Sequence, residues 1–329
     1  MVCRWAVLLS LLAGALQACR ADDAFSGVPM TPALLGGAGL ADDRILPLAL
    51  PLASRAHISS IWDEPPIEPF RRQFFQGAEI RSGYLADTGN RLGGVDQTFE
   101  EVRLGFAVPL GSLDRILAVQ PYFRIDHING PEGFPLPETL YDTGVNFFQR
   151  QQWTETISTV LLVTPSVRSD WTTSRNAFRW FGLGLVQWQA SRHWQWSIGA
   201  VYLDRADLSV LPAIGLSWTP RPWWKIDLTM PRPRIARRLW KEGGHAEGWL
   251  YAGASLGGNT WAITGAGGEP DEWTIGNIRA MIGYEKLVAG NRGLSIETGV
   301  AFRRTLETEI TSLDLDLDDG VYLEAGWKF

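Results

Sequence analysis

The last nine residues, Val321-Tyr322-Leu323-Glu324-Ala325-Gly326-Trp327-Lys328-Phe329, constrain this chain more than any other stretch. Val321, Leu323, Ala325, Trp327 and Phe329 are apolar, and Tyr322, Glu324, Gly326 and Lys328 fall between them. Successive strand side chains point to opposite faces, so such a segment offers one oily face and one polar face. An ordinary amphipathic edge strand has the same pattern, and the rest of the chain decides what the oily face meets.

Length and composition narrow the choice. A chain of 329 residues has room for two soluble domains or one large single-sheet barrel. Net charge is −6, which provides no basic footprint for nucleic acid. Sixteen Trp residues are unusual, and Trp suits a boundary that is apolar on one side and wet on the other. Residues 1–21 read as a signal peptide. Arg4 supplies the positive end, Trp5 to Leu16 an apolar core too short to span a membrane, and Ala18 to Ala21 a small-residue cleavage region. Leu16-Gln17-Ala18-Cys19 also has the form of a lipoprotein signal, in which Cys19 would carry the lipid. After cleavage at most Cys19 remains, which excludes an intramolecular disulfide. No later apolar run is long enough for a spanning helix, so a membrane-spanning form of this chain is a closed barrel.

Residues 22–71 form a proline-rich stretch, with Pro29, Pro32, Pro47, Pro51, Pro65, Pro66 and Pro69 interrupting any ladder. It reads as a tail or as a plug for a barrel domain over 72–329. From Arg72 onward, period-two segments fall near 72–85, 97–109, 116–128, 139–149, 153–164, 176–189, 193–204, 209–219, 223–232, 247–256, 260–266, 273–286, 293–304 and 320–329. Short links at 150–152, 190–192, 220–222, 257–259 and 287–292 alternate with longer ones such as 86–96, 129–138, 165–175, 233–246 and 305–319. Even strand counts with short turns on one side and long loops on the other describe an antiparallel barrel of about fourteen strands, with twelve as the alternative. Trp188, Trp194, Trp196, Trp218, Trp223, Trp224 and Trp327 would form an aromatic girdle on the short-turn side.

The alternation assigns a lumen. Glu79, Arg81, Glu101, Arg103, Arg124, Asp126, Lys225, Asp227, Arg279, Glu285, Glu297, Arg303, Glu324 and Lys328 fall on the polar phase. Acids and bases are equal in number, so an open lumen would discriminate weakly between ions. The same groups, paired with one another, would close it. Segments 153–164 and 176–189 carry apolar residues on both phases and leave their facing open.

The export signal, the strand series and the terminal Phe329 together resemble a bacterial outer-membrane β-barrel, whose last strand carries the insertion signal. Tyr202-Leu203-Asp204-Arg205, Leu211 to Pro220, Trp224 to Leu228 and Pro231-Arg232-Pro233-Arg234-Ile235 resemble an uncharacterised family of such barrels without assigned activity. The resemblance implies the outer membrane, surrounding lipid and the barrel-assembly machinery as partners. It carries no catalytic residues and no oligomeric state. Read locally, Pro231 to Arg234 would end a strand and open a basic outer loop containing Arg237, Arg238 and Lys241.

Chemistry is sparse. The four histidines, His57, His127, His193 and His245, form no local nucleophile–base pair, although triads can assemble from distant positions. No cofactor motif or spaced metal-ligand set is present, and the Asp314-Leu315-Asp316-Leu317-Asp318 run lacks the glycine and terminal glutamate of an EF-hand loop. The functional expectation is therefore no enzyme. It is a passive channel for small hydrophilic solutes or, alternatively, a closed structural or surface-binding barrel.

Overall fold

The computed structural model describes residues 65, 67, 71, 73–88, 94–110, 116–130, 137–204, 209–265, 267–309 and 314–329. The signal peptide expected at 1–21 lies outside the described residues, as does nearly all of the 22–71 stretch. What is described is a single antiparallel sheet that closes on itself.

Eight long strands follow in register: β1 (Phe75–Asp87), β2 (Asp96–Pro109), β3 (Ile116–Asn129), β4 (Thr139–Gln152), β5 (Ile157–Ser169), β6 (Phe178–Gln189), β7 (Trp194–Tyr202) and β8 (Val210–Arg221). Then come the short β9 (Trp224–Asp227), β10 (Arg234–Glu242), the paired long strands β11 (Ala246–Thr264) and β12 (Pro270–Val288), and β13 (Arg292–Thr308). β14 (Asp314–Leu317) and β15 (Gly320–Lys328) both pair with β13, one after the other, and so form a single wall strand. The wall thus has fourteen strands. It is closed where β15 pairs with β1, from Glu79↔Lys328 to Asp87↔Gly320. Phe329 extends this junction through two backbone hydrogen bonds with Ala78, of 3.1 and 3.0 Å. Closure at this junction leaves neither β1 nor β15 as a free sheet edge.

The fourteen strands arise partly from boundaries that differ from the sequence expectation. Gly257-Gly258-Asn259 has the composition of a turn, yet it lies in the middle of β11, paired with Asn277, Gly276 and Ile275. Segments 247–256 and 260–266 are therefore one strand. The expected basic outer loop, by contrast, contains β10, with its own tight turn to β11. Its arginines hid a strand because several of them find acids: Arg234 pairs with Glu285 at 3.0 Å and Arg238 with Glu247 at 3.4 Å. Merging two segments and recovering one leaves the count unchanged.

Outward faces are oily. In β15, Val321, Leu323 and Trp327 are exposed, while Tyr322 and Glu324 are buried. Exposed aromatics gather at the two ends of the wall. At the turn end are Trp153, Trp188, Trp196, Trp240 and Trp327. At the loop end are Tyr84, Trp180, Tyr202, and a cluster in which Trp171 stacks on Tyr141 at 4.3 Å beside Phe123. Paired aromatic girdles suit the two interfaces of a bilayer. Not every Trp lies there: Trp249, Trp261 and Trp273 are fully buried inside.

One hairpin departs from the wall. The β10–β11 ladder ends near Arg234↔Gly253, with Ala254 donating to the Pro233 carbonyl. Beyond it, 257–263 of β11 and 271–277 of β12 are buried on both faces instead of alternating. The tip folds inward, and Ala262 reaches Ser169 of β5 in a parallel bridge. Trp261, Ile263, Trp273 and Ile275 pack there with Val95, Ile128, Leu140, Leu306 and Leu317, forming an apolar core across the loop end.

Candidate functional site

The interior is the candidate site, because it gathers charge that an isolated strand pattern would leave in water. Inward residues on neighbouring strands meet laterally, and their side chains form connected groups.

On β1, β12 and β15, Arg81 and Arg279 both donate to Glu324, at 3.0 and 2.9 Å. Glu79 lies 3.9 Å from both Arg81 and Lys328. On β2 and β3, Arg103 pairs with Glu101, and Arg124 bridges to Asp126 at 2.6 Å while covering the Phe99 ring at 4.0 Å. Gln97 donates to the same Asp126 at 2.8 Å. Glu297 on β13 accepts from Arg232 at 2.7 Å, from Tyr251 at 2.8 Å and from Tyr322 at 3.0 Å. Asp227 accepts from Ser217 and from both the backbone and the hydroxyl of Thr229. Lys225 is half-buried over the Trp249 ring at 4.2 Å, and Glu285 is half-buried against Arg234.

Arg303 departs from its expected place. It lies exposed with φ 50°, at a register shift opposite Gly276 and Ile278, and the bulge turns Arg304 inward instead. An extra residue in one strand of a pair reverses the facing of everything after it. Arg304 is 1% exposed and donates to the carbonyls of Asp318 and Val95, at 2.9 and 2.6 Å.

Several interior residues escaped the sequence reading because their partners lie across the barrel. Arg168 reaches Asp142 at 3.2 Å and Asn259 at 2.5 Å, tying β5 to β4 and to the infolded β11. Arg179 reaches Glu272 at 2.5 Å, joined by Asn176 at 2.8 Å. Both arginines share their phase with apolar residues, Val160 and Leu162 on β5 and Phe181, Leu183 and Leu185 on β6, so no local signal marks them as interior ion-pair partners.

Just outside the strands, Asp170 holds the hairpin tip. Its carboxylate accepts from the Thr264 backbone at 2.8 Å and from Thr172 through backbone and hydroxyl, at 2.9 and 2.7 Å. Partial burial pushes this carboxyl upward, but these donors and the Thr173 backbone outweigh it and hold the group below its ordinary value.

The interior is not polar throughout. Along β5 to β8, inward positions alternate with outward ones that are also apolar, which explains the ambiguous faces of 153–164 and 176–189. The chain matches no protein-family model, and none of the curated proteins matches it in sequence.

Proposed function

We propose that this chain is an outer-membrane β-barrel with a closed resting interior, whose role is structural or ligand-binding. A standing pore for hydrophilic solutes is the less favoured reading. The observation that carries this reading is the β11–β12 hairpin: its tip is buried on both faces within the loop end and is bonded to β5. The buried ion pairs support the same reading, because charges lining open water need no partner, whereas charges withdrawn from it do. The oily exterior and the two aromatic girdles support the membrane. The expected signal peptide and the likeness to uncharacterised outer-membrane barrels support the compartment. Passive diffusion along the axis requires the hairpin to leave the mouth.

Single-channel recording in a planar bilayer tests this. Folded protein, verified by heat-modifiable gel migration, is expected to be silent. A variant with residues 258–276 replaced by Asn-Gly, a two-residue hairpin turn, is expected to conduct. Stable conductance by the unaltered barrel would overturn the closed reading and restore the channel.

A further inference from the structure

The outward face of the wall is uneven in charge. On β1 to β7 and on β15, every lysine and arginine falls on the inward phase. The sector from β8 to β13 differs: Arg221 ends β8, Arg237 points outward from β10, Lys286 points outward from β12, and Arg292 opens β13. All four are exposed and lie at the turn end. A cation facing lipid is costly at mid-bilayer and costs little near the interface, which is where these four stand.

Between Arg237 and Lys286 the outer surface has a definite shape. A register shift between Arg238 and Trp240 adds a residue to β10, which brings Leu239 and Trp240 both to the outside. Trp240 lies across Gly248 of β11, where any side chain would collide with the indole and with the Tyr284 hydroxyl. The indole N–H donates to that hydroxyl at 3.1 Å, and Lys286 Nζ stands 5.8 Å from the centre of the same ring. On the other flank Arg237 covers the Trp224 ring at 5.7 Å and shares a lateral row with Leu250 and Tyr284. Among the described residues Arg237 and Lys286 meet no carboxylate, Glu242 of the adjoining β10–β11 turn included, and the Tyr284 O–H finds no acceptor. Two cations and one hydroxyl proton therefore face outward without an anion.

We infer that this sector binds an anionic phospholipid of the leaflet at the turn end, its phosphate between Lys286 and Arg237 on the Tyr284 hydroxyl and an acyl chain along Leu250 and Ile282. The Cα atoms of the two cations stand about 12 Å apart, two strand spacings across and two residues along, and two long side chains close that gap on a single phosphate. A phosphate supplies the charge and the acceptor oxygens that this arrangement lacks. Leu250 lies beside Tyr284, Ile282 lies two residues further from the turns, and both are exposed, so the anion that fits here carries hydrocarbon. A free phosphate makes no use of that oily surface, and a soluble acidic partner does not reach donors on the lipid side of the wall. The inference rests on the membrane reading above and adds a preferred lipid to it.

Native mass spectrometry of the full-length barrel tests this, with dioleoylphosphatidylglycerol and dioleoylphosphatidylcholine added in equal amounts to the detergent-purified protein. Heat-modifiable gel migration confirms that each variant has folded. The wild type is expected to retain mainly phosphatidylglycerol. Arg237→Gln and Lys286→Gln should each reduce that retention about fivefold and leave phosphatidylcholine unchanged, the size expected for one basic side chain at an anionic surface. Tyr284→Phe should reduce it less. Arg192→Gln removes an exposed cation from the β6–β7 turn, at the same end of the barrel but outside the sector, and should have no effect. Equal retention of the two lipids by the wild type would overturn the inference and leave the cations as ordinary interfacial side chains. A loss in Arg192→Gln equal to that in Lys286→Gln would overturn it as well, because the preference would then be one of general charge. Displacement of the lipid by millimolar glycerol phosphate would assign the surface to a free phosphate ester instead. Insertion into lipid nanodiscs separates the two ideas: a barrel that inserts but shows no preference refutes only the lipid site, and one that stays out refutes the membrane reading.

Discussion

Arg303 and Arg304 show how much one residue of register decides. They are chemically identical neighbours, yet one is exposed at a bulge and the other is buried against two carbonyls. Arg304→Ala is expected to cost about 1.5–3 kcal/mol, because two carbonyls lose a charged donor in a place water does not reach. Arg303→Ala should stay within about 0.5 kcal/mol, as exposed substitutions usually do. Urea unfolding from detergent micelles would measure both, and equal losses would contradict the facing described here. Glu297 is the more sensitive site, since Arg232, Tyr251 and Tyr322 all converge on it. Glu297→Ala takes the carboxylate from the Arg232 guanidinium and leaves two hydroxyls without an acceptor, and about 3–5 kcal/mol should be lost in the same assay. Glu297→Gln, which keeps an acceptor oxygen but no charge, should fall between that variant and the wild type.

At the scale of elements, the β11–β12 hairpin meets the opposite wall through the Ala262 bridge to β5 and the bonds made by Arg168, Arg179 and Asp170. Asp170→Ala removes the acceptor for Thr264 and Thr172, so hydrogen exchange in 258–264 should accelerate while the β1 peptide 76–87 stays protected. The sign of the pH effect follows from the lowered carboxyl of Asp170. A depressed native value means its contribution is complete above the ordinary carboxylate value of about 4 and disappears as pH falls through the lower native one. Exchange in 258–264, scaled to 76–87, should therefore rise only on acidification below about pH 4 in the wild type, and Asp170→Ala should abolish that step. The barrel class could be read from the sequence because period-two alternation and short turns are local signals. The infolded hairpin could not, because burial on both faces erases alternation and its glycines imitate a turn. Arg168 with Asn259 and Arg179 with Glu272 were equally out of reach, since each pair spans some ninety residues of chain and is made only when the sheet closes. β10 failed for the opposite reason: a strand dense in arginine resembles a loop until Glu285 and Glu247 are brought beside it.

For the whole molecule, closure rests on the β1–β15 junction, and its last link is Phe329. Deleting Phe329 removes both backbone bonds to Ala78 along with the ring beside Trp327, so the fraction migrating as heat-resistant folded protein should drop. Phe329→Ala keeps the backbone bonds and should fold to a larger fraction than the deletion, and equal losses would assign the effect to the ring alone. The opposite side of the cylinder is less continuous. Between the last β10–β11 pair at Gly253 and the bridge from Ala262 to Ser169, β11 leaves the β10 ladder, while its other edge stays paired with β12. A cylinder in which the ladder between two neighbours stops short has a preferred line of tearing. Amides of Ser255 and Leu256 should exchange ahead of 278–282 in β12, which is paired on both sides, so thermal opening of this barrel is expected to begin sideways, through the wall beside β11, before its axis clears.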